Sequence, residues 1–128
     1  MIRQVINVDN HWRVIVYYNV NYALFDYIEK ELVKFRSPVE EIDKLYDALS
    51  SFKAKAATYN ILEYKTSIVL FNRHKDYVDY LDSIAHECYH VVDGILEYYN
   101  YSMRGEPPAY TIGFLFKEMF KVFDSVVV

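Results

Sequence analysis

From Asp76 to Tyr99 the chain runs without a proline and with a single glycine, Gly94. Within this stretch Tyr77, Tyr80, Leu81, Ile84, Cys88, Val91, Val92, Ile95 and Tyr99 recur at helical spacing and form one apolar stripe. A long segment with this periodicity satisfies its backbone as one helix and must lay the stripe on a core. The rest of the chain therefore has to supply a surface for it. At about 100° per residue, His86, His90, Asp93 and Glu97 fall opposite the stripe and Glu87 falls at its border.

The polar side carries the pattern H-E-x-x-H, as His86-Glu87-Cys88-Tyr89-His90. Helical residues four apart stand one turn above each other, so both imidazoles leave from one side and can meet on one metal ion. Glu87, one position on, overhangs the open side of that ion. Metal-assisted hydrolysis needs this set: neutral nitrogen ligands, an open coordination position, and a carboxylate to take a proton from water. Polar residues opposite an apolar stripe are more often a plain solvated face, and short motifs arise by chance. The helical phase of this one favours a metal site, with zinc as the expected ion.

The chain has 128 residues, which suits one domain, residues 1–128, and 53% of them are hydrophobic, enough for a real core. Its 14 tyrosines can be buried only where each hydroxyl finds a partner. A net charge of −4 without a dense Lys/Arg cluster argues against a nucleic-acid partner. Cys88 is the only cysteine, so no intramolecular disulfide forms. It lies on the stripe and reads as a small buried side chain rather than a nucleophile. Met1-Ile2-Arg3-Gln4-Val5 lacks the apolar run of a signal peptide, and no apolar segment is long enough to cross a membrane. The expectation is a cytoplasmic protein with no membrane partner. Nothing in the sequence sets an oligomeric state.

Residues 2–8 and 12–20 read as strands around an Asp9-Asn10 turn, with His11 exposed beside it. Asn21 to about Phe35 reads as a helix. Ser37-Pro38-Val39-Glu40 matches a capping box with Pro at the first helical position, opening a helix to about Ser51. Residues 56–64 and 67–72 read as two more strands, turning near Lys65-Thr66, the second strand continuously apolar from Ile68 to Phe71. His74 lies off the motif face. After a loop at 100–105, Pro107-Pro108 restarts a helix to about Phe123. Ala109 and Gly113 in it are small enough to let two helix backbones approach. The tail Val126-Val127-Val128 is too short to read.

Catalytic zinc usually has three protein ligands. After the motif, Asp93, Glu97, Glu106 and Glu118 are candidates. Asp93 and Glu97 share the histidines' helix, where Asp93 suits a role orienting a ligand ring. Glu118 is far along the last helix. Glu106, at the start of that helix, has the best reach and is the expected third ligand; the bland alternative is helix-start capping.

His86-Glu87-x-x-His90 followed by Glu106-x-x-Ala109 resembles the zincin metallopeptidases with a glutamate third ligand (gluzincin-like). Among these it is similar to the compact ImmA/IrrE-type proteins and to small H-E-x-x-H proteins of phages. The resemblance covers about residues 60–120. It departs from ImmA/IrrE-type proteins at Tyr89, where they carry Gly, and in showing no helix-turn-helix segment.

The expected fold is α+β: a short β-sheet packed against the motif helix, with a C-terminal helix carrying the third ligand. The expected activity is zinc-dependent hydrolysis of a peptide or protein substrate, with His86, His90 and Glu106 on the metal and Glu87 as general base. Tyr110 or a tyrosine of residues 98–101 is a candidate for binding the oxyanion. The strand at 67–72, nearest in sequence to the motif helix, is expected to border the cleft as an edge. The alternatives are a non-catalytic zinc-binding or phage accessory interaction protein, and a structural domain with an accidental motif.

Overall fold

A computed structural model of the chain describes residues 1–101 and 105–126. The architecture is α+β. Strands β1 (Ile2–Val8), β2 (Trp12–Tyr18), β3 (Ala56–Ile61) and β4 (Thr66–Phe71) form one sheet of order β1-β2-β4-β3. β1 and β2 pair antiparallel as the hairpin expected from sequence, with Asp9 and Asn10 both at positive φ in the turn. β3 and β4 also pair antiparallel, joined by a short 3₁₀ turn at Leu62–Tyr64 and a left-handed Lys65. The central pair, β2 with β4, is parallel.

Helices α1 (Phe25–Lys34) and α2 (Val39–Ser50) fill the crossover between β2 and β3. Their apolar sides, including Ile28, Leu32, Ile42 and Leu49, cover one face of the sheet together with Ile15, Tyr17, Ile68 and Leu70. The opposite face, with Val14, Val16, Tyr18, Val69 and Phe71, is covered by α3 (Tyr77–Tyr99), α4 (Glu106–Phe120) and the final turn α5 (Phe123–Val126). Burial on both faces explains why β4 carries no polar alternation from Ile68 to Phe71.

The position of β4 overturns one expectation. It lies between β2 and β3, paired on both sides, and so cannot offer an edge to a cleft. The edge strand beside α3 is β3. The capping box at 37–40 is also absent: Pro38 is the N-cap of α2, no side chain caps it, and the Ser37 hydroxyl is buried without a hydrogen-bond partner. The helix starts one residue too late for Ser37 to reach its N–H groups. The motif helix does have a cap, since Asp76 accepts from the Asp79 N–H at 2.8 Å.

The buried tyrosines meet the requirement stated above. Tyr18 donates to Gln4 at 2.6 Å and Tyr80 donates to the Met119 carbonyl at 2.7 Å. Tyr17 donates to Glu31, and the half-buried Tyr22 to Asn72. The Tyr80 bond, with Cys88 Sγ 3.8 Å from Met119 Sδ, sets the end of α4 against the first half of α3. The small residues at 109 and 113 do not mediate this contact. Ala109 is exposed, and a side chain at Gly113 would meet nothing within 4 Å. The loop expected at 100–105 falls in part on residues 102–104, and the tail on 127–128, outside the described residues.

Candidate metal centre

His86 and His90 project from the exposed side of α3, and their Nε2 atoms meet at 3.1 Å. Two neutral imidazoles approach this closely when one N–H donates to the other ring, or when both lone pairs face one ion. Nitrogens at this separation, each about 2.0–2.1 Å from a zinc ion, subtend about 98° at it, near the ~109° of a tetrahedral site. The pair thus fits two corners of a zinc site.

Glu87 lies on the other side of the border seen in the sequence. It is buried against β3, where the Thr58 hydroxyl donates to Oε1 at 2.9 Å. Burial pushes its carboxyl above the usual carboxylate range, while the Thr58 hydrogen bond and the two imidazoles pull the other way. A carboxylate so placed is a stronger base than one in water. A pocket of about 370 Å³ opens between this part of α3 and the segment entering β3. It is lined by Lys53, Ala54, Lys55, Ala56, Asp82, Ser83, His86 and Glu87. Lys55 is paired with Asp79.

Asn60 is the second contact from β3. Its Nδ2 donates to the His90 carbonyl at 2.9 Å, and its Oδ1 accepts from the Ser67 hydroxyl at 2.6 Å. Thr58 and Asn60 occupy alternate positions on one strand face, as a period of two requires. Neither was singled out from sequence. The signal was present, since polar residues at 58 and 60 alternate with Ala57, Tyr59 and Ile61, which pack on the other core.

The remaining candidates lie elsewhere. Glu106 is exposed at the first residue of α4. Pro107 beside it shares a groove with Leu96 and Tyr99 at the far end of α3. From His90 to Tyr99 the helix climbs nine residues, or roughly 13 Å at 1.5 Å each. α4 also packs on the apolar stripe, not on the histidine side. Asp93 and Glu97 are exposed on α3. Among the described residues no three His, Cys, Asp or Glu side chains form a group that could hold a metal ion. The structure therefore brings together His86, His90 and Glu87 but not Glu106.

No family model, curated protein or solved structure matches the chain.

Of the tyrosines considered from sequence, Tyr110 is exposed on α4, Tyr98 packs on Trp12, and Tyr99 donates to the His11 carbonyl. Tyr89, half-exposed with its ring 5.8 Å from that of His90, is the tyrosine in contact with the motif pair. His11 is exposed. His74 is buried, with Nε2 2.7 Å from Ser83 Oγ. Among the described residues no helix is long and apolar enough to cross a membrane.

Proposed function

We propose that this chain is a zinc-dependent peptidase in which His86 and His90 hold the ion and Glu87 is the general base. The observation that carries this reading is the meeting of the two imidazoles at 3.1 Å beside the buried Glu87 carboxyl. Zinc held by His86 and His90 would supply the Lewis acidity that activates water near neutral pH and polarises a peptide carbonyl. Glu87 accepts the proton of the attacking water and returns it to the departing amine. Thr58 holds one carboxylate oxygen, so the other is left to handle the proton. Tyr89, whose ring packs edge-on against that of His90, is the tyrosine we assign to charge developing beside it.

An extended peptide fits this reading along β3. Among the described residues that strand pairs only with β4, and its other edge offers backbone groups for β-augmentation. The neighbouring pocket of about 370 Å³ takes an adjoining side chain.

One observation favours the second reading, a non-catalytic metal-binding module. Among the described residues the two histidines are one donor short of the usual three protein ligands, and Glu106 stands at the other end of α3. Both readings expect zinc in protein purified without a histidine tag, and its loss when His86 and His90 are both replaced by Ala. Glu87→Gln separates them. It keeps the shape and removes the base, so a peptidase keeps its metal and stops cleaving a peptide mixture scored by mass spectrometry. Wild-type protein that carries zinc and cleaves nothing supports the module. Wild-type protein that takes up no zinc rejects both.

A further inference from the structure

The His90 carbonyl lies inside α3, where it accepts the helical N–H from Gly94, four residues on. Its second lone pair takes the Asn60 Nδ2 hydrogen bond at 2.9 Å. Behind Asn60 the donors run in one direction. Trp12 Nε1 donates to Ser67 Oγ at 2.9 Å, and Ser67 Oγ donates to Asn60 Oδ1 at 2.6 Å. Indole N–H is donor-only and a carbonyl is acceptor-only, so both ends of the chain are fixed and the Asn60 amide has one allowed orientation. The chain crosses from β2 through β4 and β3 and ends on the backbone of the second histidine.

Gly94 is part of the same arrangement. A Cβ there would lie 2.9 Å from Asn60 Oδ1 and closer still to Cγ and Nδ2, inside the 3.0 Å that real Cβ atoms essentially never show. Glycine in a helix interior is unfavourable relative to alanine. Here its missing side chain is the space that Asn60 occupies. A helix that only had to pack on a sheet would do so with apolar side chains and an alanine, without enclosing a half-buried amide and a buried hydroxyl that each need a partner.

We infer that Asn60, seated against Gly94, is a positioning residue that fixes the His90 turn on β3 and so sets the His86–His90 pair in register with the edge strand. This rests on the reading of that pair as a metal site. Two residues earlier on the same strand face, Thr58 holds the general base. One strand face thereby addresses both the base and the second ligand, and a slip of α3 by one turn would lose both contacts together.

The test uses the full chain without a tag, with cobalt(II) as the probe. Asn60→Asp keeps the size and the acceptor for Ser67 but removes the donor to His90. Ile28→Val, in the core on the opposite face of the sheet, touches no member of the chain and serves as a stability control. Two readouts are taken: the cobalt dissociation constant from its visible absorption, and the NOE between the His86 and His90 ring protons in metal-free protein. Asn60→Asp is expected to weaken cobalt binding about 10–100-fold, as loss of a group supporting a ligand does. It is also expected to lose the ring–ring NOE, while Ile28→Val keeps both. Asn60→Asp protein with wild-type affinity and a wild-type NOE overturns the inference, as does a wild type without the NOE. A wild type that shows an Asn60-dependent NOE but binds no cobalt keeps the positioning role and rejects the metal reading. Should Asn60→Asp not fold, Ser67→Ala removes the donor that orients the amide and is expected to weaken both readouts. Unchanged readouts in that variant overturn the inference.

Discussion

Replacing Gly94 by Ala sets two effects of known size against each other. In a helix interior Ala is favoured over Gly by about 0.8–1.0 kcal/mol, so an unobstructed site would be stabilised. Here the new Cβ would fall within 3.0 Å of the Asn60 amide and drive it out. Two hydrogen bonds are then lost, from Asn60 Nδ2 to the His90 carbonyl and from Ser67 Oγ to Asn60 Oδ1. At about 1 kcal/mol each, with about 1–3 more for the buried Ser67 hydroxyl left without an acceptor, the loss is about 3–5 kcal/mol. Subtracting the helix gain leaves a net destabilisation of about 2–4 kcal/mol. The assay is urea unfolding, reading a fall in midpoint at constant slope. The decisive step is to repeat the substitution in an Asn60→Ala background. With the obstacle gone, Gly94→Ala is expected to change sign and stabilise by up to about 1 kcal/mol. A Gly94→Ala protein that is more stable than wild type, or the same change in both backgrounds, refutes the reasoning.

Glu106→Ala is expected to leave zinc affinity within about twofold of wild type, because Glu106 does not meet the histidine pair; a tenfold fall would show the carboxylate completing the usual three-ligand set. His74 carries a stability prediction. Burial lowers its pKa, and the Asn72 backbone and nearby Asp79 and Asp76 oppose the shift only in part. The unfolded chain therefore binds the proton more readily, so stability falls as pH drops below about 6.5, the ordinary histidine value. Urea midpoints that fall between pH 7.5 and 5.5 no further in wild type than in His74→Gln would contradict this. Cys88 is fully buried, and burial, with the charge of Glu87 adding to it, pushes its thiol up to about 12. Iodoacetamide at pH 8 is expected to label it only as fast as the protein opens, and labelling at the free-thiol rate in native protein would overturn that.

The hairpin, the long motif helix and the proline-started last helix were legible in the sequence because each has a local signal: turn residues, a 3.6-residue period, Pro107 and Pro108 in the first helical turn. The place of β4 was not, although Ile68-Val69-Leu70-Phe71 carried the mark of a strand buried on both faces. Nearness in sequence to α3 suggested an edge, but the parallel pairing with β2 spans the whole of α1, α2 and β3 and leaves no local trace. The histidine pair followed from spacing alone. Its surroundings did not, because Thr58, Asn60 and Ser67 reach α3 across tertiary contacts. Ala109 and Gly113 show the converse, a spacing that suggested close helix contact on a face turned to solvent.

The crossover from β2 to β4 also bears on the order in which the chain assembles. The β3–β4 hairpin and α3 are contiguous, so Thr58, Asn60, Ser67, His86, Glu87, His90 and Gly94 come together through short loops. Pairing β4 with β2 instead closes a loop holding two helices and a strand, which costs more chain entropy. Local contacts form faster than distant ones. The chemistry-bearing half is thus set to organise before the β1–β2 ribbon docks, and Trp12 then joins a preformed network from outside. Pulsed hydrogen exchange would see this as protection of the β3–β4 and α3 amides ahead of the amides that bridge β2 and β4.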